Sequence, residues 1–107
     1  MSVKWLVPPG ESRPLTGALQ SLMIATRSER GCVGCTLSTD MGARVAISYI
    51  EDWQTEEDLK RRLRSARFSA LAELMEKTSE QPVVKFTVRG STRGLEYADD
   101  VRSQNRF

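Results

Sequence analysis

Tyr49, Glu51 and Trp53 stand at alternate positions of one stretch, and strict alternation describes a strand that sends all three side chains to one face. Trp53 closes that stretch. Its ring either fills the core or lines a ligand pocket between sheet and helices, since a buried indole needs a partner for its N–H. Further on, Lys60-Arg61-Arg62-Leu63-Arg64 with Arg67 forms a basic cluster. Glu56, Glu57 and Asp58 precede Lys60, Arg61 and Arg62 by one helical turn, the favourable order for ion pairs on a helix. The cluster therefore reads either as a self-paired, solvated face or as a helix that turns one arginine inward to hold an anionic ligand.

Two further constraints narrow the chemistry. The chain has no histidine, which removes imidazole bases, imidazole metal ligands and Ser–His or Cys–His pairs. Cys32-x-x-Cys35 has redox spacing but opens a strand, so no helix N-terminus stabilises a thiolate. Residues three apart on a strand point to opposite faces, and both cysteines are expected to be reduced, structural residues. One CxxC cannot complete a four-ligand zinc site, so no metal is expected.

The elements that must position these residues follow from periodicity. A first strand over 3–7 ends at Pro8-Pro9-Gly10. Ser12 then caps a helix over 13–30, with Pro14 in its first turn and Leu15, Leu19, Leu22 and Met23 on one face. Arg27 and Arg30 suit the helix end, and Gly31 suits its C′ position. Strands over 33–39 and 44–53 flank a turn at Asp40, Met41 and Gly42. Thr55 and Asp58 have capping-box spacing, and Leu59, Leu63 and Ala66 continue a helix. A break near Ser65 leads to a second helical piece carrying Phe68, Leu71, Ala72 and Met75. Gln81-Pro82 stops it, and 83–88 is the fourth strand. In the tail, Leu95, Tyr97 and Val101 suit either a short strand or a turn of helix, and 103–107 is expected to fray.

The order is β-α-β-β-α-β, an α+β ferredoxin-like layout with an antiparallel sheet. The 107 residues make one domain, with its core over about 3–89 and a tail over 90–107. A net charge of +2 demands neither nucleic acid nor an anionic membrane. No apolar run approaches the ~20 residues of a membrane span, and no leader signature is present, so a cytoplasmic location is expected. The strands carry apolar residues on both faces: Ala46 and Ile50 oppose Ile47 and Tyr49, and Leu6 opposes Val3, Trp5 and Val7. Helices cover only one sheet face in this layout, so a second copy is the expected cover of the other, giving a homodimer.

In order and spacing, Gly31-Cys32, Glu51-Asp52-Trp53, Arg62-Leu63-Arg64-Ser65 and Phe68 resemble the antibiotic biosynthesis monooxygenase family, over most of the chain. The resemblance implies a dimeric α+β barrel with a pocket between sheet and helices in each protomer. It also implies cofactor-free oxidation of a small aromatic, phenolic or quinol substrate by O₂. Trp53 would then pack on the substrate ring, Arg62 or Arg64 would hold its oxyanion, and Phe68 and Tyr49 would shape the pocket. Glu51 or Asp52 would act as base. The family's helix histidine falls on Arg62 here, and arginine stays protonated, so it can stabilise a phenolate but cannot act as a base. The alternative function is a non-catalytic dimeric module that binds a small molecule.

Overall fold

The computed structural model describes residues 1–104 and arranges them as one five-stranded sheet with four helices. The first four strands are β1 (Ser2–Val7), β2 (Cys32–Asp40), β3 (Val45–Trp53) and β4 (Val83–Val88). A short β5 (Ser91–Arg93) follows. All neighbouring pairs are antiparallel in the order β2-β3-β1-β4-β5. The helices are α1 (Pro9–Arg27), α2 (Glu56–Leu63), α3 (Ala66–Lys77) and α4 (Glu96–Gln104). This is the ferredoxin-like α+β fold expected from the order of elements, extended by β5 and α4.

Register explains which residues meet. Val3 pairs with Tyr49, Trp5 with Ile47 and Val7 with Val45, and Val84 pairs with Val3 on the other side. All these side chains are buried; α1 lies over β1 and β3, α2 over β3, and Val84 borders α3 and α4. Leu19, Leu63, Leu71 and Phe86 complete the core at 0% exposure. Among the described residues, the Trp5 indole N–H is the single buried side-chain donor or acceptor without a partner. The alternate residues face away from the helices: Lys4, Leu6, Ala46, Val83 and Lys85 are all exposed.

Several local details differ from the sequence reading. The first helix starts at Pro9, with Pro8 in extended conformation before it, and ends at Arg27 rather than near Arg30. Pro14 therefore lies inside the helix, where its missing N–H leaves the carbonyl of exposed Gly10 to solvent. Helix α1 is held at its start by Glu11, which accepts from the Ser79 backbone N–H (3.0 Å) and hydroxyl (2.7 Å). The tail holds both a short strand and a helix. Arg89 (φ 51°) and Gly90 (φ 81°) form the two-residue turn between β4 and β5, with the left-handed geometry a tight hairpin uses. Ser103 and Gln104 belong to α4 and are not frayed; the remainder of the expected fraying, 105–107, lies outside the described residues.

The break at Ser65 stands where the sequence placed it. Ser65 Oγ accepts from the Phe68 N–H at 3.2 Å and so caps α3. Thr55 Oγ1 caps α2 in the same way, accepting from the Asp58 N–H at 3.1 Å.

Candidate functional site

Strand β3 delivers Tyr49, Glu51 and Trp53 to the helix-covered face, as alternation requires. Helix α2 runs across their end, and its buried stripe of Asp58, Leu59, Arg62 and Leu63 faces the sheet. Arg62 is thereby the arginine that turns inward. Its side chain and that of Glu51 are both 0% exposed.

The two form a bidentate ion pair. Arg62 Nη2 donates to Glu51 Oε2 at 2.8 Å, and Arg62 Nε donates to Oε1 at 3.1 Å. Tyr49 donates its hydroxyl proton to Oε2 at 2.7 Å, and the Trp53 indole N–H donates to Oε1 at 3.1 Å. Four donors thus meet the four acceptor positions of one carboxylate. Two further Arg62 N–H groups are used: Nη2 reaches Thr26 Oγ1 at 3.0 Å, and Nη1 reaches Glu29 Oε2 at 3.4 Å. Glu29 in turn accepts from Arg67 at 3.1 Å.

The electrostatics follow from this geometry. Burial opposes the Arg62 charge, but the Glu51 hydrogen bonds and the attraction of Glu51 and Glu29 outweigh it and raise the pKa further. Burial, followed by the Glu51 charge, pushes the Tyr49 hydroxyl well above the usual phenol range and keeps it protonated. A buried pair of this kind is strongly destabilising when one partner is removed, because the other is left uncompensated.

Two turns of chain lock the cluster. Gly31 has φ 88°, and a Cβ there would lie 2.3 Å from Asp58 Cγ. Only glycine fits both the left-handed backbone and the close approach of α2. Its carbonyl accepts from the Gln54 N–H at 2.8 Å, which ties the exit of β3 to the end of α1.

Trp53 is half-buried and borders two recesses. One, of about 330 Å³, runs past Asp52, Glu56, Leu59 and Arg89. The other, of about 190 Å³, lies among Glu29, Arg30, Arg61, Arg62 and Ser65. Asp52 is exposed, opposite Gly34 in the ladder.

Of the residues singled out from the sequence, Tyr49, Glu51, Trp53 and Arg62 come together. Arg64 and Phe68 do not join them. Arg64 is the exposed residue that ends α2, and Phe68 is buried under α3, bordering a different groove beneath α4. Thr26 and Glu29 were missed. Thr26 continues the Leu15-Leu19-Leu22 stripe of α1 by one turn, and a hydroxyl on an apolar stripe was the available signal.

The cysteines need a correction. Cys32 pairs with Trp53 and Cys35 with Glu51, with a register shift between Cys32 and Gly34. This bulge absorbs one residue, so both thiols face the helices instead of opposite sides. Both are free, Cys35 is buried, and Cys32 packs against the core. Burial raises both thiol pKa values. Among the described residues no cluster of three metal-ligating side chains occurs, and no helix is long and apolar enough to cross a membrane.

No curated protein matches the sequence significantly. A conserved protein from Methanosarcina mazei Go1, known from a crystal structure, superposes with a TM-score of 0.63 at 22% identity. The match covers 76% of this chain and 81% of that one, and at this identity it speaks for the fold. Residues 1–74, from β1 through most of α3, match the model of the antibiotic biosynthesis monooxygenase family, and the chain belongs to that family.

Proposed function

We propose that this protein is a homodimer that binds a small aromatic molecule against Trp53, with the Arg62–Glu51 pair holding the site in shape. The observation that carries this reading is the saturation of Glu51 by Tyr49, Trp53 and Arg62. A carboxylate with all four acceptor positions filled has none left for a substrate proton, Arg62 stays charged, and Tyr49 stays protonated. Trp53 uses only its N–H in the cluster and leaves ring surface toward two recesses, which suits stacking on a planar guest. The dimer is supported by the sheet face away from the helices, where Leu6 is 47% and Val83 57% exposed in a single chain. Domains of this family typically dimerise.

A second reading keeps the family chemistry, cofactor-free oxygenation of a phenol, anthrone or quinol. It is favoured by the smaller recess, which Trp53 shares with the exposed Arg30 and Arg61; buried Arg62 and the carboxylates of Glu29 and Asp58 also line it. A substrate acidic enough to ionise by itself would face guanidinium groups there, and its anion would donate the electron to O₂.

The two readings separate in one experiment. Phenols, quinols and anthrones are screened by quenching of Trp fluorescence, and each hit is followed with an oxygen electrode. Binding that Trp53→Phe weakens, without oxygen uptake, supports the first reading. Oxygen uptake in step with product, lost in Trp53→Ala, replaces it with the second. Sedimentation equilibrium should report about twice 12.0 kDa; a clean monomer contradicts the dimer.

A further inference from the structure

A second concave region is separate from the Trp53 cluster. It is a groove of about 680 Å³ between α3, the start of β4 and α4. That volume falls within the range of small-molecule sites. Its floor is apolar: Phe68, Ala72, Met75, Val84 and Ala98 line it. Leu95 stands at its border with 45% of its surface exposed. Most of its wall, from Met75 onward, lies beyond residues 1–74 that match the family.

The charges around this floor are unequal. Glu73, Glu76 and Asp99 border the groove, all exposed, and among the described residues none has an ion-pair partner. Arg102 is the one cation in the lining, and it is already engaged. Its Nη1 donates to the Leu63 carbonyl at 2.6 Å, and its Nη2 donates to Ser69 Oγ at 3.1 Å. Its guanidinium also lies 5.8 Å from the Phe68 ring centre. The neighbouring Arg93 is likewise spent, on Asp100 at 2.7 Å.

We propose that this groove is a second ligand site, which takes a small organic cation: an apolar body of one or two rings carrying an ammonium group. The body would displace water from the floor between Ala72 and Ala98. The ammonium would lie at the rim among the three carboxylates. An anionic guest meets net negative charge there, three carboxylates against one arginine whose N–H groups are already bonded to Leu63 and Ser69.

The test uses the full chain and three probes of one shape: 1-naphthylmethylamine, 1-naphthylmethanol and 1-naphthoate. Binding is followed by backbone and methyl NMR shifts. The amine should move the resonances of Ala72, Leu95 and Ala98 and bind about tenfold more tightly than the carboxylate, as a few exposed charge contacts allow. The triple variant E73Q/E76Q/D99N touches only exposed side chains and should fold normally. It should erase the preference while leaving the neutral alcohol unchanged. Ala72→Trp should fill the floor and weaken all three probes. Equal binding of amine and carboxylate overturns the proposal. So does a preference that survives the triple variant, or shifts confined to Trp53 and its neighbours.

Discussion

The Glu51–Arg62 cluster and the α3–α4 groove hold similar numbers of charged groups and use them in opposite ways. In the cluster the Glu51 carboxylate and the Arg62 guanidinium are buried on one another, and the charge is consumed by the fold. In the groove the carboxylates stand in solvent, and the arginine beside them grips the backbone. Burial decides the difference. A buried charge must be paired to exist at all, whereas an exposed one can wait for a ligand. Substitutions in the first region should therefore read out in stability, and substitutions in the second in binding.

The largest expected effect is Arg62→Ala. It leaves Glu51 buried without its counter-ion and should cost about 3–5 kcal/mol in equilibrium unfolding. A loss under about 1 kcal/mol would mean that water enters the cluster and that its charge is available after all. Gly31→Ala should come next, at about 1–3 kcal/mol, from left-handed strain and collision with Asp58. Tyr49→Phe removes one hydrogen bond to a charged group and should cost about 1.5–3 kcal/mol. Glu73→Gln and Asp99→Asn, on the groove side, should each stay within about 0.5 kcal/mol of the parent. A substantial loss at either position would show that the groove carboxylates belong to the fold, and the comparison would collapse.

A pH experiment sharpens the boundary between the regions, because α4 bridges them. Tyr97 on α4 is buried and donates to Glu56 Oε2 at 2.9 Å, on α2. Burial, then that bond and charge, push its pKa from 10.0 up to about 12. The folded form thus favours the protonated phenol. This contribution is present below pH 10 and is lost as pH rises toward about 12. Tyr97→Phe should remove this alkaline decline relative to the parent, measured by urea unfolding at fixed protein concentration. Parallel pH profiles for the two proteins would show that the Glu56 contact does not hold α4.

Much of the fold was legible because periodicity survives in the long elements. The alternation of Val45, Ile47, Tyr49 and Glu51 placed the central strand, and the capping-box spacing at Thr55 with the break near Ser65 placed both pieces of the second helical segment. The misses have local causes. Pro8-Pro9-Gly10 reads as a turn, yet Pro9 is well suited to the first helical position, and the helix begins there. The Arg89-Gly90 hairpin lacks the usual Asn-Gly or Asp-Gly signature, so β5 carried little signal. The bulge beside Cys32 inverted the expected facing of the two thiols. At the site, an arginine turned inward to hold an anionic ligand was one of two readings of the basic cluster; Arg62 does turn inward, and the carboxylate it meets is Glu51 of the chain itself. That Glu51 would be its partner was not legible. The pairing joins a strand to a helix across the sheet face, and spacing along the chain does not encode such contacts.

The claim on which the rest depends is that Glu51 and Arg62 act as one buried, saturated unit. A double-mutant cycle on unfolding free energy, using Glu51→Gln, Arg62→Met and the double variant at one protein concentration, measures it directly. The account predicts large single losses and a double loss well below their sum, with a coupling of about 1–3 kcal/mol. Additive losses, with coupling under about 0.5 kcal/mol, would contradict it.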